Sequence, residues 1–197
     1  MPRLDDIVLL HDLNEHPFYR AWREGTLSKG ALATYGADYA PFIGAVEAGW
    51  RSLGDADHAA TERDHALLWE DFRGGIESPE PPAPLSHQGE ALVALARRAF
   101  ADPVTAVGAL YAFEAQQPKT ARSKLDGLLL HYALPEGATA YFRAHADDYG
   151  EKDRLSARAA AMGERELLRA EDACEATCRA MWALLDGVMD ASPTPNP

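Results

Sequence analysis

The apolar residues of this chain recur at three- and four-residue spacing almost from end to end, and no stretch alternates every second residue between turn signals. That pattern restricts the 197 residues to an all-α fold. Leu4 to Asn14 reads as one amphipathic helix, and His16 to Glu24 as another that stops at Gly25. Ser28 offers an N-cap for a long helix through Tyr35, Tyr39, Phe42, Val46 and Trp50, which ends near Gly54. A third long helix spans about Asp57 to Phe72 and is closed by Gly74 and Gly75. The prolines of IESPEPPAPLS exclude helix there and mark the one substantial loop. Helices then resume over His87 to Phe100, from Asp102-Pro103 through Glu114, and over Lys119 to Tyr132. The next is expected from about Ala138 to Arg154, with a bend at Gly150, and the last runs from Glu164 or Ala173 to Met189. Seven to eight helices in one domain over residues 1–190 follow, with a disordered tail over 191–197.

Composition narrows the partners. A formal net charge of -12 with no basic patch repels nucleic-acid phosphates and anionic lipid, so neither nucleic acid nor a membrane is expected to bind. No apolar run approaches the roughly 20 residues that span a bilayer. The only two cysteines, Cys174 and Cys178, lie four apart on one helix and do not resemble a disulfide framework. A cytoplasmic protein acting on a small molecule is the expectation, and a homodimer is the prior for such a bundle.

Two helices carry the chemistry. His58, Glu62 and His65 are spaced i, i+4, i+7 and share one helix face. Two imidazoles and a carboxylate on a rigid face suit a divalent transition metal, although an acidic, alanine-rich helix can also turn such residues to solvent. Glu114 lies in the apolar run AVGALYAFE, where a buried carboxylate needs a proton or a cation. Arg122 or Lys124 could supply that cation. His145 follows Tyr141 and Phe142 at the apolar start of another helix, with Asp148, Tyr149 and Lys152 downstream.

Taken in order, HPFYRAWREGTLSKGALATYGADYAPF, HALLWEDF, LYAFEAQQPKTARSKLDGL and AYFRAH resemble the CADD-like branch of the heme-oxygenase-like di-metal oxidases, relatives of the TenA and PqqC proteins. The resemblance implies a bundle of about seven helices holding one or two metal ions, usually iron with manganese as the alternative, that activate dioxygen. It matches His65, Glu114 and His145 to metal ligands, and it leaves open whether His58 or Glu62 fills the position before His65. The pattern's last two ligands, four and seven residues after His145, read Tyr149 and Lys152 here, with Asp148 one residue off register. A lysine ammonium aimed at a metal site opposes cation binding. The same branch is linked to the oxidative formation of para-aminobenzoate from the protein's own tyrosine and lysine. Tyr19, Lys124 and Tyr141 match the positions concerned, whereas a further tyrosine of that branch is Phe113 here.

Two other functions compete with an oxygen-activating oxidoreductase. A metal-free pocket enzyme of the TenA or PqqC kind is suited by Asp38-Tyr39 but lacks a mid-chain nucleophilic cysteine. A metal-free binding protein is favoured by Tyr149 and Lys152.

Overall fold

The computed structural model describes residues 4–78 and 85–191, so the expected disordered tail lies almost wholly outside the described residues. Ten α-helices appear: α1 (Leu4–Leu10), α2 (Pro17–Arg23), α3 (Lys29–Ser52), α4 (Ala56–Gly75), α5 (His87–Ala99), α6 (Pro103–Glu114), α7 (Gln117–His131), α8 (Ala140–His145), α9 (Glu151–Ala160) and α10 (Glu164–Ala191). Two short 3-10 turns, Leu13–Glu15 and Glu136–Thr139, complete the described residues, which contain no strand. No helix among them is long and apolar enough to cross a membrane.

The boundaries follow local chemistry. Ser28 accepts the Ala31 N–H, Asp55 the His58 N–H, Ser86 the Gly89 N–H and Asp102 the Val104 N–H, so four helices start where a short polar side chain satisfies an orphan donor. His16 caps α2 in the same way, with Pro17 in its first turn. Gly25 and Gly54 take positive φ at helix ends, as expected of residues without a Cβ. Two expected helices differ. Asp12 accepts the Asn14 N–H and diverts the chain after Leu10 into a 3-10 turn. The helix expected over residues 138–154 is broken: α8 stops at His145, the chain turns through Ala146 to Tyr149, and Gly150 at φ 85 starts α9.

The core is organised around α6, on which every residue from Ala106 to Glu114 is buried. A helix apolar all round belongs at a bundle's centre, and α6 packs most extensively against α10. At their crossing a Cβ added to Gly108 would lie 1.8 Å from the Ala170 carbonyl oxygen. Gly108→Ala must therefore push two long helices apart and is expected to cost about 3 kcal/mol or more. Gly44→Ala, on an exposed face of α3 with nothing within 4 Å of the new methyl, should stabilise by about 0.5–1 kcal/mol. Thermal melts of the two variants check this pair.

Candidate metal centre

Helix α4 brings Glu62 and His65 inward, α6 ends on Glu114, and α8 ends on His145. One ligand atom each from Glu62, His65 and His145 can be chosen so that all three lie within 4.8 Å of one another. The His65 Nδ1 is 3.2 Å from the Glu62 carboxylate, and the His65 and His145 rings are 4.3 Å apart.

His145 is prepared as a ligand. Its Nδ1 is 2.9 Å from the Tyr141 carbonyl, which can only accept, so the proton sits on Nδ1 and the lone pair on Nε2. That Nε2 is buried and has no hydrogen-bond partner. Burial, with His65 alongside, lowers the imidazole pKa from its usual 6.5 to about 4, so the ring is neutral at pH 7. Glu114 is only 5% exposed, and its one hydrogen-bond donor among the described residues is the Trp50 indole at 3.0 Å. Burial and then the neighbouring Glu62 push it well above the usual carboxylate range. A buried neutral imidazole with an idle lone pair, beside the Glu62 carboxylate and a Glu114 with no ion pair among the described residues, fits a divalent metal ion. The space enclosed among these side chains is about 10 Å³, which holds roughly one water-sized species.

The remaining expected site residues fall into three groups. His58 is on the same face one turn earlier, but its Nε2 faces Glu151, 3.7 Å away. Asp148 remains at the surface and accepts the Gly150 N–H at 2.8 Å, so it is not brought to the cluster. Tyr149 is 60% exposed and Lys152 turns to Asp5, 2.7 Å away, so no ammonium points at the metal ligands. Nor does a cation among the described residues balance Glu114, because Arg122 binds the Ala146 carbonyl and Asp147. Glu151, which no spacing argument had singled out, lines the same space as Glu62, His65, Glu114 and His145. Its signal was weak: it follows a glycine that can restart a helix.

Lys124 lies deeper, on α7. Among the described residues its only hydrogen bond is to the Tyr19 hydroxyl at 3.4 Å, and its Nζ is 4.6 Å from the centre of the Tyr19 ring. The Tyr35 and Phe142 rings are the other neighbours. Burial alone lowers the amine pKa from 10.5 to about 7, which brings the neutral amine within reach near neutral pH. Burial also holds the Tyr19 phenol above its usual range, and its hydroxyl pairs with that of Tyr35 at 2.9 Å. Tyr141 accepts from Gln117 at 2.9 Å and its ring lies 4.1 Å from that of His145. Ring contacts run without a gap from Tyr19 through Tyr35, Trp69 and Tyr141 to His145. Cys174 and Cys178 are buried free thiols on α10 outside this cluster.

No family model matches the chain. Among curated proteins, a 4-aminobenzoate synthase of Chlamydia muridarum is 31% identical over 75% of this chain and 71% of that protein. A 4-aminobenzoate synthase of Nitrosomonas europaea is 28% identical over 94% of this chain and 89% of that protein. Among solved structures, a TenA homologue from Pseudomonas syringae superposes with a TM-score of 0.79 at 14% identity, covering 95% of this chain and 91% of that one. A CADD-like protein from Nostoc punctiforme does so with a TM-score of 0.65 at 18% identity, covering 96% and 95%. The fold is thus the heme-oxygenase-like all-α bundle.

Proposed function

We propose, from the premise that this chain belongs to the family of the bacterial 4-aminobenzoate synthases, that it forms 4-aminobenzoate from its own Tyr19 and Lys124 with dioxygen as oxidant. The observation that supports this most is the Lys124 amine, which has no carboxylate partner among the described residues and lies 3.4 Å from the Tyr19 hydroxyl among aromatic rings. The product has a para-disubstituted ring with one carbon outside it. A tyrosine side chain supplies the ring and its Cβ. The bond from Cα to Cβ breaks and leaves a glycyl residue, and dioxygen oxidises Cβ to the carboxylate; the Lys124 Nζ leaves Cε, which dioxygen oxidises to the aldehyde, and takes the ring position from which the phenol oxygen departs as water.

Each protein group has a defined part. Lys124 needs an unprotonated lone pair, and burial provides it near neutral pH. The Tyr19 hydroxyl, held between Lys124 and Tyr35, keeps the ring beneath the amine. Gln117 fixes Tyr141 beside His145, and the packed rings of Trp69 and Phe142 exclude water. Iron, with manganese as the alternative, held by Glu62, His65, His145 and Glu114, would supply dioxygen activation. The free thiols fit a reducing cytoplasm.

A single-turnover assay tests the reading. Metal-free protein is loaded anaerobically with ferrous iron and then exposed to dioxygen, with no small molecule added. Up to one equivalent of 4-aminobenzoate per chain is expected, after which formation stops. No product, or continued turnover of an added compound, would contradict it.

A further inference from the structure

Tyr19 sits on α2, a helix of only seven residues. A helix this short has little stability of its own, so its place depends on what holds it. The Tyr19 ring lies under the Lys124 amine, while Phe18 packs on Tyr35 and Trp22 on Phe142, the other two rings beside that amine. On one side α2 approaches the α7 backbone closely: a Cβ added to Gly127 would stand 2.8 Å from the Trp22 carbonyl oxygen. Ahead of α2, the Leu13 N–H donates to the Gln116 side chain at 2.9 Å.

His16 adds a hold on the opposite side. Its ring is fully buried, and both nitrogens are engaged. Pro17 has no N–H, so the first backbone donor of α2 belongs to Phe18, and it donates to the His16 Nδ1 at 3.0 Å. An N–H cannot accept, so Nδ1 carries the lone pair and the ring proton lies on Nε2, 3.0 Å from the Asp186 carboxylate of α10. Trp182 of the same helix packs on the imidazole, with ring centres 4.6 Å apart. Burial lowers the imidazole pKa from its usual 6.5 against the pull of Asp186, so the neutral ring that both hydrogen bonds need is the form present at pH 7.

We infer that His16 is a positioning residue for the reaction: by joining the start of α2 to α10 it holds the Tyr19 hydroxyl within reach of the Lys124 amine. The inference rests on the reading of Tyr19 and Lys124 as the reacting pair. Tyr19 follows His16 by three residues, so the capped first turn carries the phenol directly. At 3.4 Å its contact with Lys124 is already long for a hydrogen bond, and a displacement of about 1 Å at the start of α2 breaks it. The Asp186 side chain is 59% exposed and, among the described residues, bonds only His16, so it can be changed without opening the core.

Protein labelled with ¹³C at the lysine Cε tests this in two ways. Metal-free and anaerobic, it reports the Lys124 pKa through the Cε shift; loaded with iron and exposed once to dioxygen, it reports the yield of 4-aminobenzoate. His16→Leu removes both hydrogen bonds. Its yield should fall about tenfold or more, and its Lys124 pKa should rise from about 7 to about 8 or above as water reaches the amine. Its Mn²⁺ affinity should change less than about threefold, because the metal ligands lie on other helices. His16→Asn keeps an acceptor for the Phe18 N–H and should restore the yield to within about threefold of wild type. Asp186→Leu, a surface change, should cost about threefold in yield with the same upward drift of the Lys124 pKa, and it decides the matter if His16→Leu does not fold. Wild-type yield with an unchanged Lys124 pKa in either leucine variant would overturn the inference. So would a His16→Leu chain whose Mn²⁺ affinity falls with its yield, or a loss that His16→Asn does not restore. No 4-aminobenzoate from wild type would overturn the proposed function and the inference together, whereas an unmoved Lys124 pKa beside a productive wild type overturns the inference alone.

Discussion

Replacing Lys124 with methionine should abolish 4-aminobenzoate formation and at the same time make the protein more stable. Few substitutions at a reactive residue are expected to do both. The amine is buried among the Tyr19, Tyr35 and Phe142 rings, with one long hydrogen bond and no carboxylate to balance it. Methionine keeps the length and the apolar contacts of the lysine stem and removes the group that resists burial.

The pH dependence follows with a definite sign. Unfolded, the amine stays protonated to about pH 10.5; folded, it loses its proton near 7. Between those values the unfolded chain binds more protons, so this group makes stability rise with pH. Its burial cost is full below pH 7 and is relieved progressively above it. Lys124→Met should gain a few kcal/mol at pH 6 and lose that advantage toward pH 9.5. Denaturant melts at the two pH values measure it, and product yield is read in the same samples. Wild-type yield from the variant, or lower stability at pH 6, would be inconsistent with an unpaired reactive amine.

His145→Ala is expected to have the second largest effect, loss of both the metal and the product. The imidazole is neutral and its Nδ1–H donates to the Tyr141 carbonyl. The Nε2 lone pair therefore has no use within the fold except a ligand. Removing it leaves Glu62 and His65 as the nearest pair, and affinity for ferrous or manganous ion should fall by about 100-fold or more. At 100 times the wild-type Kd a bound ion stabilises the folded chain by about 2.7 kcal/mol. A melt with that much Mn²⁺ should therefore shift upward for wild type and stay in place for His145→Ala. An equal shift in both proteins would remove His145 from the ligand set.

Much of the bundle is readable in the sequence because its helix ends are marked chemically. Ser28, Asp102-Pro103 and Gly25 each announce a boundary that the fold respects. Glu114 stands out for a similar reason, since a carboxylate in AVGALYAFE must be matched by a proton or a cation. Its partner could not be read in advance. Of the two candidates along the chain, Arg122 turns to the Ala146 carbonyl and Asp147, and Lys124 sits one layer away against Tyr19. Which face of α7 packs inward depends on helix rotation, which charge spacing alone does not determine.

The larger failure is at residues 146–150. Apolar spacing passes through this stretch without interruption, so Tyr149 and Lys152 appear to share a face with His145. Only Gly150 hints at a break. At φ 85 it lets the chain restart as a separate helix, and the displaced register turns Lys152 outward and Glu151 inward. Five residues of irregular backbone thus change a site that looked degraded into one with an additional carboxylate. Asp148, one position away from the expected register, is left at the surface by the same turn.

The most direct test of the account is the origin of the product's atoms. Protein grown with ring-¹³C tyrosine and ε-¹⁵N lysine is loaded with iron, exposed to dioxygen once, and its 4-aminobenzoate analysed by mass spectrometry. The account predicts six ¹³C and one ¹⁵N in the product, and a chain altered at Tyr19 and Lys124. Unlabelled 4-aminobenzoate, or label with both residues intact, would show that the substrate comes from outside the chain.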